Sequence, residues 1–346
     1  MSGQTNTFET AANMTTPRSS HSSALLPNGK LLILGGVNLG TALTSAELYD
    51  PATNRFAVAG DTKVDGVPFG LPLNTATLLK TGQLLVVDDG VGTSAEIYDS
   101  VNGRYARTGS MSAPRTGHTA TLLLSGDVLL AGGNRLASAE LYRPSSGTFV
   151  PTAQMSTARW GHTATILSSG EVLIAGGRTE MNGAVLASAD VYDPATGRFR
   201  PTTGTMITER WGHTATLLRD GRVLIVGGET ILPGKLSMQV TCDSAEIYDP
   251  KSGTFSQIGK TSTERWQHTA TLLNNGKVLI AGGTSPIGVG TAELFDPQTS
   301  SFEPVGNMVV ARESHTAELL SDGRVLIVGG LNIHDGYLSS AELFYP

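Results

Sequence analysis

Arg210-Trp211-Gly212-His213-Thr214-Ala215-Thr216, then Gly221-Arg222-Val223-Leu224-Ile225-Val226-Gly227-Gly228, then Ser244-Ala245-Glu246-Ile247-Tyr248-Asp249-Pro250 and Gly253-Thr254-Phe255, form the stretch that decides the fold. The same order recurs seven times. Its His position falls at His21, Asn74, His118, His162, His213, His268 and His315, at spacings of 44 to 55 residues that average 49. Self-similarity at such a period marks stacked supersecondary units that bury their apolar faces against one another.

Each unit reads as four strands. The first, Thr- and Leu-rich, ends in a two-residue turn: Asn28-Gly29, Thr81-Gly82, Ser125-Gly126, Ser169-Gly170, Asp220-Gly221, Asn275-Gly276 and Asp322-Gly323. Asn-Gly and Asp-Gly are strong hairpin signals because both central residues take positive φ. The second strand is an unbroken apolar run such as Val223 to Val226, as expected where both faces are buried. The third carries Glu-Leu-Tyr and closes on Asp-Pro. The fourth begins at an aromatic: Phe56, Tyr105, Phe149, Phe199, Phe255 and Phe302.

The seventh unit stops at Phe344-Tyr345-Pro346, without a fourth strand. Gln4-Thr5-Asn6-Thr7-Phe8 is similar to Gln298-Thr299-Ser300-Ser301-Phe302, and Met14 takes the place of Met308. The N-terminus, residues 4–13, is therefore expected to supply the outer strand of blade seven and close the ring. The fold class expected is all-β: a seven-bladed β-propeller with four antiparallel strands per blade. Residues 1–346 are read as a single domain. Such closure leaves only short protected edges.

The chain has 24 basic and 30 acidic residues, a net charge of −6, without charge blocks. That balance argues against nucleic acid or an anionic membrane as the main partner. Gly numbers 42 and charged residues are 16%, which suits short strands joined by tight turns. Residues 1–14 have no basic start and no apolar core, so no secretion signal is expected there. Cys242 is the sole cysteine and excludes an internal disulfide.

The Gly-Gly pair after an apolar strand, the Tyr or Phe on the third strand, and the Arg-x-x-His opening resemble the kelch-repeat β-propellers. They are most similar to the central propeller domain of the galactose oxidase-like family. The resemblance spans essentially the whole chain and implies a kelch-type propeller, a group of binding modules with a few enzymes. The copper radical site of the galactose oxidase-like proteins needs a Cys cross-linked to a Tyr, a second Tyr and two His. Cys242 lies in the blade-five loop, and no Tyr-His pair here matches those ligands. No cofactor and no catalytic residues are expected.

Six of the seven histidines share one repeat position. A metal ring would need them to converge to roughly 2.0–2.1 Å from one ion; on separate blades they read instead as hydrogen-bonded inter-blade residues. Arg18, Arg115, Arg159, Arg210, Arg265 and Arg312 recur with Glu47, Glu140, Asp190, Glu246, Glu293 and Glu342, as charge-assisted pairs tying strands together would. The Gly-Gly pairs lack the helix of a phosphate loop and read as packing glycines.

Departures from the repeat point to function. The residue after the repeated Arg is Ser19, Pro72, Thr116, Trp160, Trp211, Trp266 and Glu313, so all three tryptophans take one slot on consecutive blades. Blades four and five carry insertions on the same face, at residues 178–187 and 229–243. A cleft floored by Trp160, Trp211 and Trp266 and walled by Arg178, Glu180, Lys235 and Met238 is expected to hold a glycan, a peptide or a small aromatic ligand. The competing reading is that each Trp packs against the next blade's loop. Blade two replaces Arg with Leu71, His with Asn74 and Gly-Gly with Asp88-Asp89: a weak cation site or a decayed repeat. His334-Asp335-Gly336-Tyr337 reads as a solvated loop. The expected molecule is a monomeric, non-catalytic binding module; the alternatives are a galactose oxidase-like enzyme and a purely structural scaffold.

Overall fold

Seven runs of four aliphatic residues seed the sheets: Leu31–Leu34, Leu84–Val87, Val128–Ala131, Val172–Ala175, Val223–Val226, Val278–Ala281 and Val325–Val328, every residue of them buried. Burial on both faces explains why these strands show no alternation of apolar and polar residues. In the computed structural model, residues 5–61, 75–88, 92–133, 135–180, 183–232, 238–284 and 289–346 are described. Among them are seven four-stranded sheets and three two-stranded hairpins. Every pairing is antiparallel and each blade is a meander, as the sequence predicts; the chain is a seven-bladed β-propeller.

The chain forms two compact units. Thr108–Trp266 holds blades three, four and five, and Met1–Arg107 with Gln267–Pro346 holds blades six, seven, one and two. In the first unit Leu173, Ala175 and Val191 pack with Val223, Ile225 and Tyr248. In the second, Leu326, Val328 and Leu343 pack with Leu31, Ile33 and Tyr49. The third and fourth strands of every blade meet through an aromatic pair. Tyr248–Phe255 lies at 4.9 Å and Phe295–Phe302 at 5.0 Å. The last blade keeps the rule with a partner from the other end of the chain. Thr7–Thr10 pairs antiparallel with Ala341–Tyr345, placing Phe8 opposite Phe344 at a ring separation of 4.9 Å.

The repeated Arg is fully buried and ties the blade that carries it to the segment that enters that blade. Arg210 donates through Nη1 to the Gly227 carbonyl at 2.7 Å and through Nη2 to Glu246 Oε1 at 2.8 Å. Glu246 in turn accepts the backbone N–H groups of Ile207 and Thr208, at 2.8 and 3.0 Å. Arg18–Glu47, Arg115–Glu140, Arg159–Asp190 and Arg312–Glu342 repeat the ion pair at 2.7 to 3.2 Å. Glu246→Ala is expected to destabilise the protein by roughly 3–5 kcal/mol, because it leaves Arg210 charged and buried without its counter-ion. Urea titration checks this; a loss below about 1 kcal/mol would contradict the hub role.

The histidines link neighbouring blades. His162 Nε2 bonds Thr119 Oγ1 at 3.0 Å, His213 bonds Thr163 at 2.9 Å, His21 bonds Thr316 at 2.9 Å and His315 bonds Thr269 at 3.0 Å. Burial, with the nearby Arg18, drives the His21 pKa down to about 3, and burial with Arg159 does the same at His162. These rings are neutral hydrogen-bonding struts, as expected. The Gly-Gly pairs are packing residues too. A methyl at Gly176, where φ is +63°, would lie 2.5 Å from the Arg210 carbonyl oxygen of the next blade.

Candidate functional site

The Trp slot and the residue after Gly-Gly meet where the first strand begins and the second ends. Trp160 bridges Arg178 and Trp211 bridges Glu229, backbone to backbone, as Ser19 bridges Val37 and Glu313 bridges Leu331, so these blades offer a two-residue rung above the sheet. In blades four and five those rungs carry an indole beside a charged group. Trp160 and Trp211 stand 5.2 Å apart between ring centroids at 49°, and Trp211 and Trp266 stand 5.3 Å apart at 58°. All three rings are half-buried. The sequence slot thus becomes a continuous stacked ladder.

Each indole rests on a glycine of the preceding blade. A methyl on Gly117 would fall 2.9 Å from Trp160 Cε3, and one on Gly161 would fall 3.2 Å from Trp211 Cε3. Gly212 lies under Trp266 in the same way. The glycine appears only where the following blade supplies a Trp. Where that blade supplies Glu313 or Ser19 instead, the same position is Gln267 or Ser314, both still at positive φ. Each indole thus packs on the preceding blade's glycine and on its neighbouring indole.

Arg178 does not wall a cleft. Its guanidinium lies over the Trp211 ring, 5.0 Å from the centroid, and the residue is 4% exposed. Gln239, with its amide oriented to satisfy both neighbours, accepts from Arg178 Nη1 at 3.1 Å and donates to Glu229 Oε2 at 3.0 Å. A polar chain Arg178–Gln239–Glu229 thus caps the centre of the ladder. Burial pushes the Glu229 carboxyl up, and the Arg178 charge pulls it partly back. Glu229 and Gln239 escaped the sequence reading. The signal was present: Glu229 follows Gly227-Gly228 as Arg178 follows Gly176-Gly177.

The remaining expected residues scatter. Glu180 turns to Arg135, at 2.5 Å across exposed side chains. Met238 is 53% exposed beside the blade-five hairpin of Glu229–Ile231 and Gln239–Thr241, where its carbonyl accepts the Leu232 N–H. Lys235 lies outside the described residues. So do Leu71, Pro72, Asn74 and Asp89 of blade two, while Asp88 is buried with its backbone N–H on the Ser94 carbonyl at 3.1 Å. In the blade-seven loop the buried Asn332 side chain accepts the backbone N–H groups of His334 and Asp335, at 2.8 and 3.1 Å, which accounts for that turn locally. Among the described residues no group of three or more His, Cys, Asp and Glu side chains could hold a metal ion. Cys242 is buried, with its thiol pushed up by burial.

The kelch motif matches residues 18–62, which is blade one. No curated protein is significantly similar to the chain in sequence. A solved structure titled "Novel fungal alcohol oxidase with catalytic diversity among the AA5 family, in complex with copper" superposes with a TM-score of 0.77 at 18% identity, covering 99% of this chain and 77% of that one. At that identity the likeness concerns the fold, and the copper and the oxidase activity are that protein's.

Proposed function

We propose that this chain, a kelch-type seven-bladed β-propeller, is a non-catalytic binding module whose ligand site is the surface made by Trp160, Trp211 and Trp266. One observation carries the reading. Three consecutive tryptophans, at a slot filled elsewhere by Ser19, Thr116 or Glu313, stack into one ladder capped by Arg178, Gln239 and Glu229. A scaffold requires no such ladder, since the other blades close without one. Glycine seats and mutual stacking hold the indoles still, and a rigid aromatic surface loses little entropy when a ligand binds. Half-exposed indoles beside a polar chain suit a glycan, a peptide side chain or a small aromatic compound.

Alanine at Trp160, Trp211 or Trp266 is the test, read by ligand titration and by thermal melting of the same variants. Loss of a well-used aromatic anchor weakens binding by about 2 kcal/mol or more. Trp211, stacked on both sides and covered by Arg178, is expected to matter most. A glycan and metabolite panel read by intrinsic Trp fluorescence supplies the ligand. Stability losses of roughly 3–5 kcal/mol, the range for emptying a buried aromatic site, with no ligand found or affinity unchanged per folded molecule, would end the reading.

A further inference from the structure

Three nitrogen donors in this ladder meet no acceptor: Trp160 Nε1, Trp211 Nε1 and Arg178 Nε, all screened from solvent. They belong to one small neighbourhood, since Trp160 and Trp211 stack at 5.2 Å and the Arg178 guanidinium lies 5.0 Å above Trp211. Two side-chain oxygens of the capping chain are engaged elsewhere. Gln239 Oε1 takes Arg178 Nη1, and Glu229 Oε2 takes the Gln239 amide. A buried N–H without an acceptor keeps the full penalty of desolvation with nothing to offset it, and native proteins leave few of them. The Nε atoms of the repeated Arg18, Arg159 and Arg312 also meet no acceptor, so it is the two indole N–H groups that set this ladder apart.

The unmet groups are donors only, and one belongs to a guanidinium. A neutral hydroxyl offers a single oxygen to the three groups and brings a hydrogen of its own that must also be accepted. A carboxylate brings two oxygens, about four lone-pair positions and no hydrogen, and its bonds to a guanidinium are charge-assisted. We propose that the Trp160–Trp211–Arg178 donor set recognises a carboxylate-bearing small molecule, whose oxygens accept the three orphan N–H groups while its apolar or ring portion lies along the indole ladder. The proposal rests on the binding-surface reading above and narrows its ligand. Glu229 is then an opposing charge beside the bound anion, not a ligand contact.

Matched probe pairs decide the question in the intact protein: benzoate against benzamide, and glucuronate against glucose, followed by Trp fluorescence. The carboxylate of at least one pair is expected to bind at least tenfold more tightly than its neutral partner. Arg178→Gln should abolish that preference, and Glu229→Gln should tighten carboxylate binding several-fold by removing the like charge. Neutral partners binding as well as the acids would overturn the carboxylate assignment while leaving the surface standing. Weaker carboxylate binding in Glu229→Gln would overturn it too. The wild-type comparison requires no variant to fold. Should neither member of either pair bind, the carboxylate assignment falls, and the Trp variants then decide whether any binding surface remains.

Discussion

A chain lacking residues 1–13 is expected to lose at least about 5 kcal/mol of stability and to aggregate. Thr7–Thr10 forms the fourth strand of the last blade, with Glu9 opposite Leu343 and Thr10 opposite Glu342. The pairing extends beyond the strand, through Asn6 N–H to the Tyr345 carbonyl at 2.6 Å and Ala11 N–H to the Ala341 carbonyl at 2.9 Å. Half a dozen backbone hydrogen bonds at about 1 kcal/mol each, with an aromatic pair worth about 0.5–1.5 kcal/mol beyond its buried area, are enough to account for the figure. That is a large part of a typical domain's 5–15 kcal/mol. The loss also bares Ala341–Tyr345 as an edge ready to pair with another chain. Urea unfolding and light scattering of the truncated and full chains check it. A truncation that unfolds at the same urea concentration and stays unaggregated would show that the strand closes nothing.

Acid should unfold this protein well before its carboxylates are all protonated. His21 and His162 are held neutral to about pH 3, and His315 well below its ordinary value, whereas an unfolded His takes up a proton near pH 6.5. A folded pKa below the unfolded one means stability that is present above pH 6.5 and is lost as the pH falls toward 3. Each such histidine contributes about 1.4 kcal/mol per pH unit across that window, so His21 and His162 alone remove about 5 kcal/mol between pH 6.5 and 4.5. Glu318 acts in the opposite sense. Burial raises its carboxyl to about 7 while Ser23 Oγ donates to it at 2.8 Å, so its contribution is present below about pH 4.5 and is lost as the pH rises through 7. The net slope between pH 4.5 and 6.5 is therefore lower by about one proton. Urea midpoints at successive pH values measure it. His162→Gln, which stays neutral, should flatten the curve by about one proton; an unchanged slope would show that His162 is not buried neutral.

The repeat, the strand order, the closing strand, the Arg–carboxylate hubs and the histidine struts were all legible in the residues. A stacked array repeats one solution, so each requirement is written up to seven times and each departure stands out against the others. Even the seating of the tryptophans was written in advance, since Gly117, Gly161 and Gly212 each precede a blade that carries a Trp. What the sequence could not determine is where long side chains on neighbouring rungs end. Repeat position gives a Cα, but several rotatable bonds separate the Arg178 backbone from a guanidinium lying on the next blade's Trp211. The same freedom sends Glu180 away to Arg135 and joins Gln239 to Glu229 from the two strands of one hairpin. Backbone hydrogen bonding and the burial of apolar runs are local and periodic, so the sequence alone determined the propeller. The Arg178–Gln239–Glu229 chain and the unmet donors of Trp160, Trp211 and Arg178 depend on the distance between rungs of different blades, which only the packed tertiary structure decides.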